Sequence, residues 1–297
     1  MTAVLAAPGA VPVRRAGNRV LRRLGHNPLA VISAAVLLVA VVVAVVVAVG
    51  APLLAPVSPD LTDFNATFAP PGAAGHLLGT DDLGRDVLSR IMYGTRASLT
   101  VGLLAVAVGM VVGVPLGLAS GYTSAVDVVV SRLTDLMLAF PFLILAVGLA
   151  AIRGASLTNA AIAIGIAHVP SVVRVIRSET LRLRSQEFVE ASLVDGAGPA
   201  WVLGRHILPN AVPTLIVSAT VAIPGAILGE AVLSFLGLGI QPPAASLGVM
   251  LASAQQYAAR APWTAVIPGV TILVLALAFN VFGDALRDAV DPKASRR

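Results

Sequence analysis

Several stretches of this chain carry no Asp, Glu, Lys or Arg, among them residues 24–59, 97–126, 136–152, 154–173, 206–229 and 261–283. A helix crossing a bilayer needs about 20 such residues, because a rise of 1.5 Å per residue has to cover roughly 30 Å of hydrocarbon. The shortest window, 136–152, extends easily through Leu133. Continuous rather than alternating apolar runs point to helices instead of barrel strands, since a helix satisfies every backbone N–H within its own segment. The sequence predicts an all-α integral membrane protein with six spans, at about 29–50, 99–120, 133–151, 157–175, 212–236 and 263–283. Charged residues make up only 12% of the chain, against roughly 25% in soluble domains.

Arg14, Arg15, Arg19, Arg22 and Arg23 precede the first run, and Ala48-Val49-Gly50 could pass for a signal-peptidase site. Leader h-regions run only about 7–15 residues, whereas thirteen Val, Ile and Leu fall between Ala30 and Val49. A retained anchor is expected. With the N-terminus in the cytoplasm, 15 of the Lys and Arg residues fall on inside segments and 5 on outside ones, as the positive-inside rule requires. The chain then divides into a basic tail (1–28), a first span with an outer segment (29–98), a five-span core (99–285) and a cytoplasmic tail (286–297).

Several classes of chemistry are excluded. There is no cysteine, the four histidines are scattered, and Lys293 is the only lysine, so neither a Cys-ligated metal site nor a phosphate-binding loop can form. No His-Glu-x-x-His or Gly-x-Ser-x-Gly occurs, and no catalytic residue, metal site or bound cofactor is expected. The basic residues are spread out with few aromatics among them, which argues against nucleic acid. A self-sufficient secondary carrier would bury ionisable groups as relays. Only Glu230 lies within a span, with Asp135 and Asp284 at span ends. Glu230 is expected to serve structural hydrogen bonding first and to line the pore or outer gate, with Phe235, second. Arg174 and Arg177 are expected to mark the exit of span four and to snorkel to headgroups, and His168 to be a packed residue.

Three local patterns add detail. Gly109, Gly113, Gly117 and Gly121, following Ala105, form a small-xxx-small ladder for close helix packing, and one subunit does not obviously supply its partner surface. Prolines 115, 141, 170, 213, 224 and 268 sit inside five of the spans. The segment from Asp82 to Ser98 is amphipathic, with Leu83, Val87, Leu88, Ile91 and Met92 opposite Arg85, Asp86, Ser89 and Arg90. It predicts a short helix on the membrane surface, with Thr80, Asp81 and Asp82 as its N-cap and first-turn acids.

The longest inside loop, 176–211, predicts helix–turn–helix. Ser185 caps a short helix whose apolar face is Phe188, Val189, Leu193 and Val194. Gly196-Ala197-Gly198-Pro199 ends it, since glycine takes positive φ freely and proline starts the next helix. Exposed apolar side chains on a cytoplasmic loop imply a protein partner or membrane contact. Glu190-Ala191-Ser192, Asp195-Gly196 and His206-Ile207-Leu208-Pro209 resemble the coupling motif of ABC-importer permeases. Independently, the run from His76 to Arg90, with Gly79, Thr80, Asp81, Gly84, Arg85 and Asp86, resembles the outer segment of C-type permeases of the dipeptide/oligopeptide family. Asp135 to Pro141, and Leu233 to Gly239 with Gln241-Pro242-Pro243, fit the same family. Ser192 stands where alanine is common, and Leu247 where an aromatic is common. The resemblance implies a type I ABC-importer transmembrane domain in the bacterial inner membrane. It implies a homologous permease, one or two ATPases carrying ATP-Mg, and an extracytoplasmic binding protein as partners. It also implies short peptides as cargo, with nickel chelates and glutathione as alternatives.

Overall fold

The computed structural model describes residues 55–73 and 75–290. The expected first span at 29–50, the basic tail before it and residues 291–297 lie outside the described residues. Among the described residues every regular element is a helix: α1 (Val87–Tyr122), α2 (Ser124–Leu138), α3 (Phe142–Arg153), α4 (Leu157–Arg184), α5 (Glu187–Val194), α6 (Pro199–Phe235), α7 (Leu247–Ala254) and α8 (Trp263–Val290). Four of them, α1, α4, α6 and α8, are long and apolar enough to cross a membrane, and the bent pair α2–α3 makes a fifth if it is one span.

The ladder on α1 shows why the helices pack as they do. A Cβ built on Gly113 would lie 2.7 Å from Val172 Cβ, on Gly117 2.8 Å from Ile176 Cβ, and on Gly121 2.6 Å from Thr180 Cβ. Gly109 meets Gly165 and His168. The four glycines therefore seat α4 along α1 with almost no side chain between the backbones, and the ladder finds its partner within the same chain. The expectation of an unsatisfied ladder is corrected. Around this pair, α6 packs against both helices, and α8 against α6.

Two predicted spans differ from what forms. The expected surface helix is not separate: residues 87–98 are the first turns of α1, 36 residues long and so about 54 Å at 1.5 Å per residue. No breaker separates the two halves, and Gly94 is packed close against Leu247 of α7. The cap also moves. Asp86, rather than Thr80 to Asp82, accepts the Ser89 N–H at 2.8 Å. The third span breaks at Ala139-Phe140-Pro141, where α2 and α3 meet at 93°. Proline has no N–H and disfavours helix in the residue before it, so α2 cannot run through.

Helix α4 continues to Arg184, past the expected end at 175. Arg177 makes a two-pronged pair with Asp127 at 2.5 and 2.7 Å, and Arg174, largely exposed, contacts Asp135 at 3.2 Å. Both pairs tie α2 to α4.

Candidate functional site

The loop after α4 is built as a second, smaller packing unit. Its helix starts one residue later than the sequence suggests: Gln186 is the N-cap of α5 but its side chain does not cap it, donating instead to Arg182 O at 3.3 Å, and Ser185 Oγ likewise turns back to donate to Arg182 O at 3.0 Å. Glu187 and Glu190 sit in the first turn, where the helix dipole favours negative charge. The end of α5 is closed by paired bonds from Gly196 N to Leu193 O (3.1 Å) and from Ala197 N to Ser192 O (3.0 Å). This is the Schellman pattern, and it needs the left-handed residue that Gly196 supplies at φ 83°. Pro199 then begins α6, whose second turn, Val202–Ile207, widens into a π-turn carrying His206.

The expected single apolar face is divided between two tasks. Val189 on α5, with Val202 and Ile207 on the π-turn, is fully buried among Leu118, Ile176 and Leu183 at the ends of α1 and α4. Phe188, Leu193 and Val194 point outward and remain exposed. Trp201, which the sequence patterns do not single out, is 60% exposed beside them. Its signal was an aromatic two residues after a helix-starting proline. Phe188 and His206 approach to 6.3 Å between ring centres. Together with Ala191, Ser192, Asp195, Gly196 and Trp201 they line an open hollow. Glu190 and Pro209 are exposed on its flanks, and Leu208, half-buried, restarts the regular α-helix. Such a surface, anchored below and apolar above, can receive another protein; no cluster of side chains able to hold a metal ion occurs among the described residues.

At the opposite end of the bundle, the motif from Gly79 to Asp86 forms a closed cap. Asp81 accepts from the backbone N–H groups of Leu83 (3.0 Å) and Arg85 (2.9 Å) and from Arg85 Nε (2.7 Å). Thr80 bonds Ala66 O, and Trp263 Nε1 donates to Thr80 O at 3.1 Å. Arg90, 2% exposed, donates to Pro59 O at 3.1 Å and reaches Pro243 O at 3.5 Å. The side that amphipathicity assigned to water, Arg85, Asp86, Ser89 and Arg90, is thus entirely buried. Leu247 is buried too, against α1.

Glu230 lies beneath this cap, fully enclosed. Ser98 Oγ of α1 donates to it at 2.6 Å and Ser234 Oγ at 2.7 Å, and Ser234 Oγ in turn accepts from Ile240 N. It ties α1, α6 and the following loop together. Phe235, at the end of α6, is 42% exposed. The two residues paired as gate candidates therefore occupy different surroundings.

Residues 109–296, which include the hollow beside α5, match the family described as the inner membrane component of binding-protein-dependent transport systems. This chain belongs to that family. As a permease of this family it also matches, over residues 17–71, the N-terminal transmembrane domain of oligopeptide transport permease C. The dipeptide transport system permease protein DppC of Alkalihalophilus pseudofirmus is 42% identical, with 92% of this chain and 88% of that protein covered. The di/tripeptide permease DppC of Pseudomonas aeruginosa is 45% identical, with 82% of each covered. The glutathione permease GsiD of Pectobacterium atrosepticum is 42% identical over 74% of each. In fold, the permease resembles a chain of the inward-facing MetNI methionine ABC transporter, with a TM-score of 0.57 and 22% identity, covering 68% of this chain and 96% of that one. Family membership decides against the self-sufficient carrier.

Proposed function

We propose that this permease is one of two transmembrane subunits of a bacterial peptide importer, with six spans and both termini in the cytoplasm. A homologous permease completes the path, an extracytoplasmic binding protein delivers cargo to the cap end, and ATPase subunits dock on the hollow at the coupling end. ATP hydrolysis rests with those partners. The observation that carries this reading is the coupling loop: Val189, Val202 and Ile207 fasten it to the ends of α1 and α4, while Phe188, Leu193 and Trp201 stay exposed. An apolar surface of that kind is a docking surface, and its anchors transmit any push on α5 directly into the bundle. Peptide cargo is supported by the dipeptide and di/tripeptide relatives; glutathione, itself a small peptide, is the second reading, supported by the GsiD relative.

Gly196→Val tests the coupling role. A Cβ there meets nothing within 4 Å, so the change acts chiefly through φ, at a cost of about 1–2 kcal/mol for a left-handed residue. The variant should insert and pair normally yet lose substrate-stimulated ATP hydrolysis and uptake together. Normal uptake at matched membrane abundance would reduce the loop to a connector. Orientation is checked with single cysteines at Ala244 and Leu77, both exposed at the cap end, and at Ser192. An impermeant maleimide should label the first two in intact cells and spare the third. Ser89, on the outer segment, is buried and would stay silent in either orientation.

A further inference from the structure

Two ion pairs join α2 to α4, and they have opposite characters. Asp127 takes two N–H groups of Arg177 and also the hydroxyls of Ser120 (2.6 Å) and Ser131 (2.9 Å), which saturates it. Asp135 and Arg174 share one contact of 3.2 Å, with side chains 67% and 64% exposed. The first pair is a fastening. The second leaves most of the five guanidinium donors of Arg174 and one carboxylate oxygen of Asp135 free.

The location of the second pair is the telling fact. Arg174 is seventeen residues into α4, about 26 Å along it at 1.5 Å per residue, so it lies toward the far edge of a hydrocarbon layer of roughly 30 Å. A lone arginine there could reach the interface, but an acid and a base paired across two spans is the arrangement found facing a water-filled cavity or protein. Ser171 and Ser178, one turn to either side on the same face, are also exposed. The exposed stripe of α1 is the opposite case: Leu104, Val111, Val112 and Leu116 present nothing polar.

We propose that the Ser171–Arg174–Ser178 face of α4, with Asp135 of α2, is the water-facing wall of the translocation path, and that the Asp135–Arg174 pair opens to hold the ammonium and carboxylate of zwitterionic cargo. The proposal rests on the peptide-importer reading. Every unblocked peptide has one ammonium and one carboxylate whatever its side chains, so a carboxylate beside a guanidinium recognises the class and ignores the sequence. Because both charges arrive together, neither member of the pair is left alone when it opens.

The test uses the whole importer, with its partner subunits, in inside-out membrane vesicles. The absence of native cysteine makes Ser171→Cys and Ser178→Cys clean reporters. Both should react with a charged thiosulfonate about tenfold faster than Val111→Cys, which a lipid-facing stripe keeps from water. An excess of an unblocked dipeptide should slow labelling at Ser178→Cys, its N-acetylated amide should not, and either Asp135→Asn or Arg174→Gln should abolish the protection. Labelling no faster than at Val111→Cys overturns the wall. Protection that is absent, or equal with the blocked peptide, overturns the recognition of a zwitterion. Dipeptide uptake is measured separately in intact cells carrying the same variants: its loss from the unmodified importer would refute the peptide reading, while normal uptake beside unreactive cysteines refutes only the wall.

Discussion

The cap and the coupling loop use similar parts toward opposite ends. Each has a glycine at positive φ and several charged residues within about two dozen positions. In the cap, Thr80, Asp81, Arg85, Asp86 and Arg90 are all buried, and each is satisfied by a neighbour. In the loop, Glu187, Glu190, Asp195 and Arg205 are exposed, and so are Phe188 and Trp201. A buried polar network has to be complete, because an unpaired member costs the desolvation of that group. An exposed one need not be. The cap is a finished structure, and the loop leaves both its charges and its large apolar side chains uncovered.

The two glycines put the largest expected effect on that contrast. A Cβ on Gly84 would lie 1.8 Å from Asp63 O, whereas one on Gly196 meets nothing. Gly84→Ala adds a backbone clash to the strain of φ 71° and should exceed about 4 kcal/mol, enough to remove the protein from the membrane. Abundance and thermal stability in detergent read this directly. Near-normal abundance of Gly84→Ala would mean that the cap yields like a loop, and the contrast would fail.

Next in size is a split within the loop itself. Phe188→Ala and Trp201→Ala should each weaken ATPase association by about 2 kcal/mol, roughly thirtyfold, while leaving the permease as stable as before. Val189→Ala should do the reverse, costing about 2 kcal/mol of stability through lost burial and the cavity left behind. Pull-down of the ATPase and detergent melting, measured on the same three variants, separate the two outcomes. Equal effects on both readouts from all three would erase the division between anchor and docking surface.

What the sequence disclosed was the part encoded locally. The four-residue period of Gly109 to Gly121 announces close packing because one helix face carries it entirely. Gly196 announces a turn because its backbone conformation is its own. The identity of the ladder's partner could not be read, since Val172, Ile176 and Thr180 look like any other span. The cap was misjudged for the same reason. Arg85 to Arg90 has the periodicity of a helix with a wet side, and only the carbonyls of Pro59 and Pro243, 31 and 153 residues away from Arg90, turn that side inward. The break at Pro141 was half legible: proline marked the place, but not the 93° bend that follows it. Asp135 and Arg174 were visible as charges near span ends, while their pairing required the fold.

The smallest expected effect concerns Glu190, and it sharpens the comparison most finely. In the cap, Asp86 is a capping carboxylate with both oxygens engaged, by Ser89 and by His76 at 3.0 Å. Glu190 also stands in the first turn of a helix, yet it is exposed, and the side chain of the N-cap Gln186 does not cap that helix. Its contribution within the permease is then its charge near the positive end of α5, worth about 0.3–1 kcal/mol and screened by salt. Glu190→Gln should therefore weaken ATPase association by less than about fivefold, with the deficit narrowing as ionic strength rises. A deficit many times larger would show that Glu190 meets a cation on the ATPase. In that event charge belongs to the docking surface as much as Phe188 and Trp201 do, and an arginine or lysine on the ATPase should restore binding when its charge and that of Glu190 are exchanged.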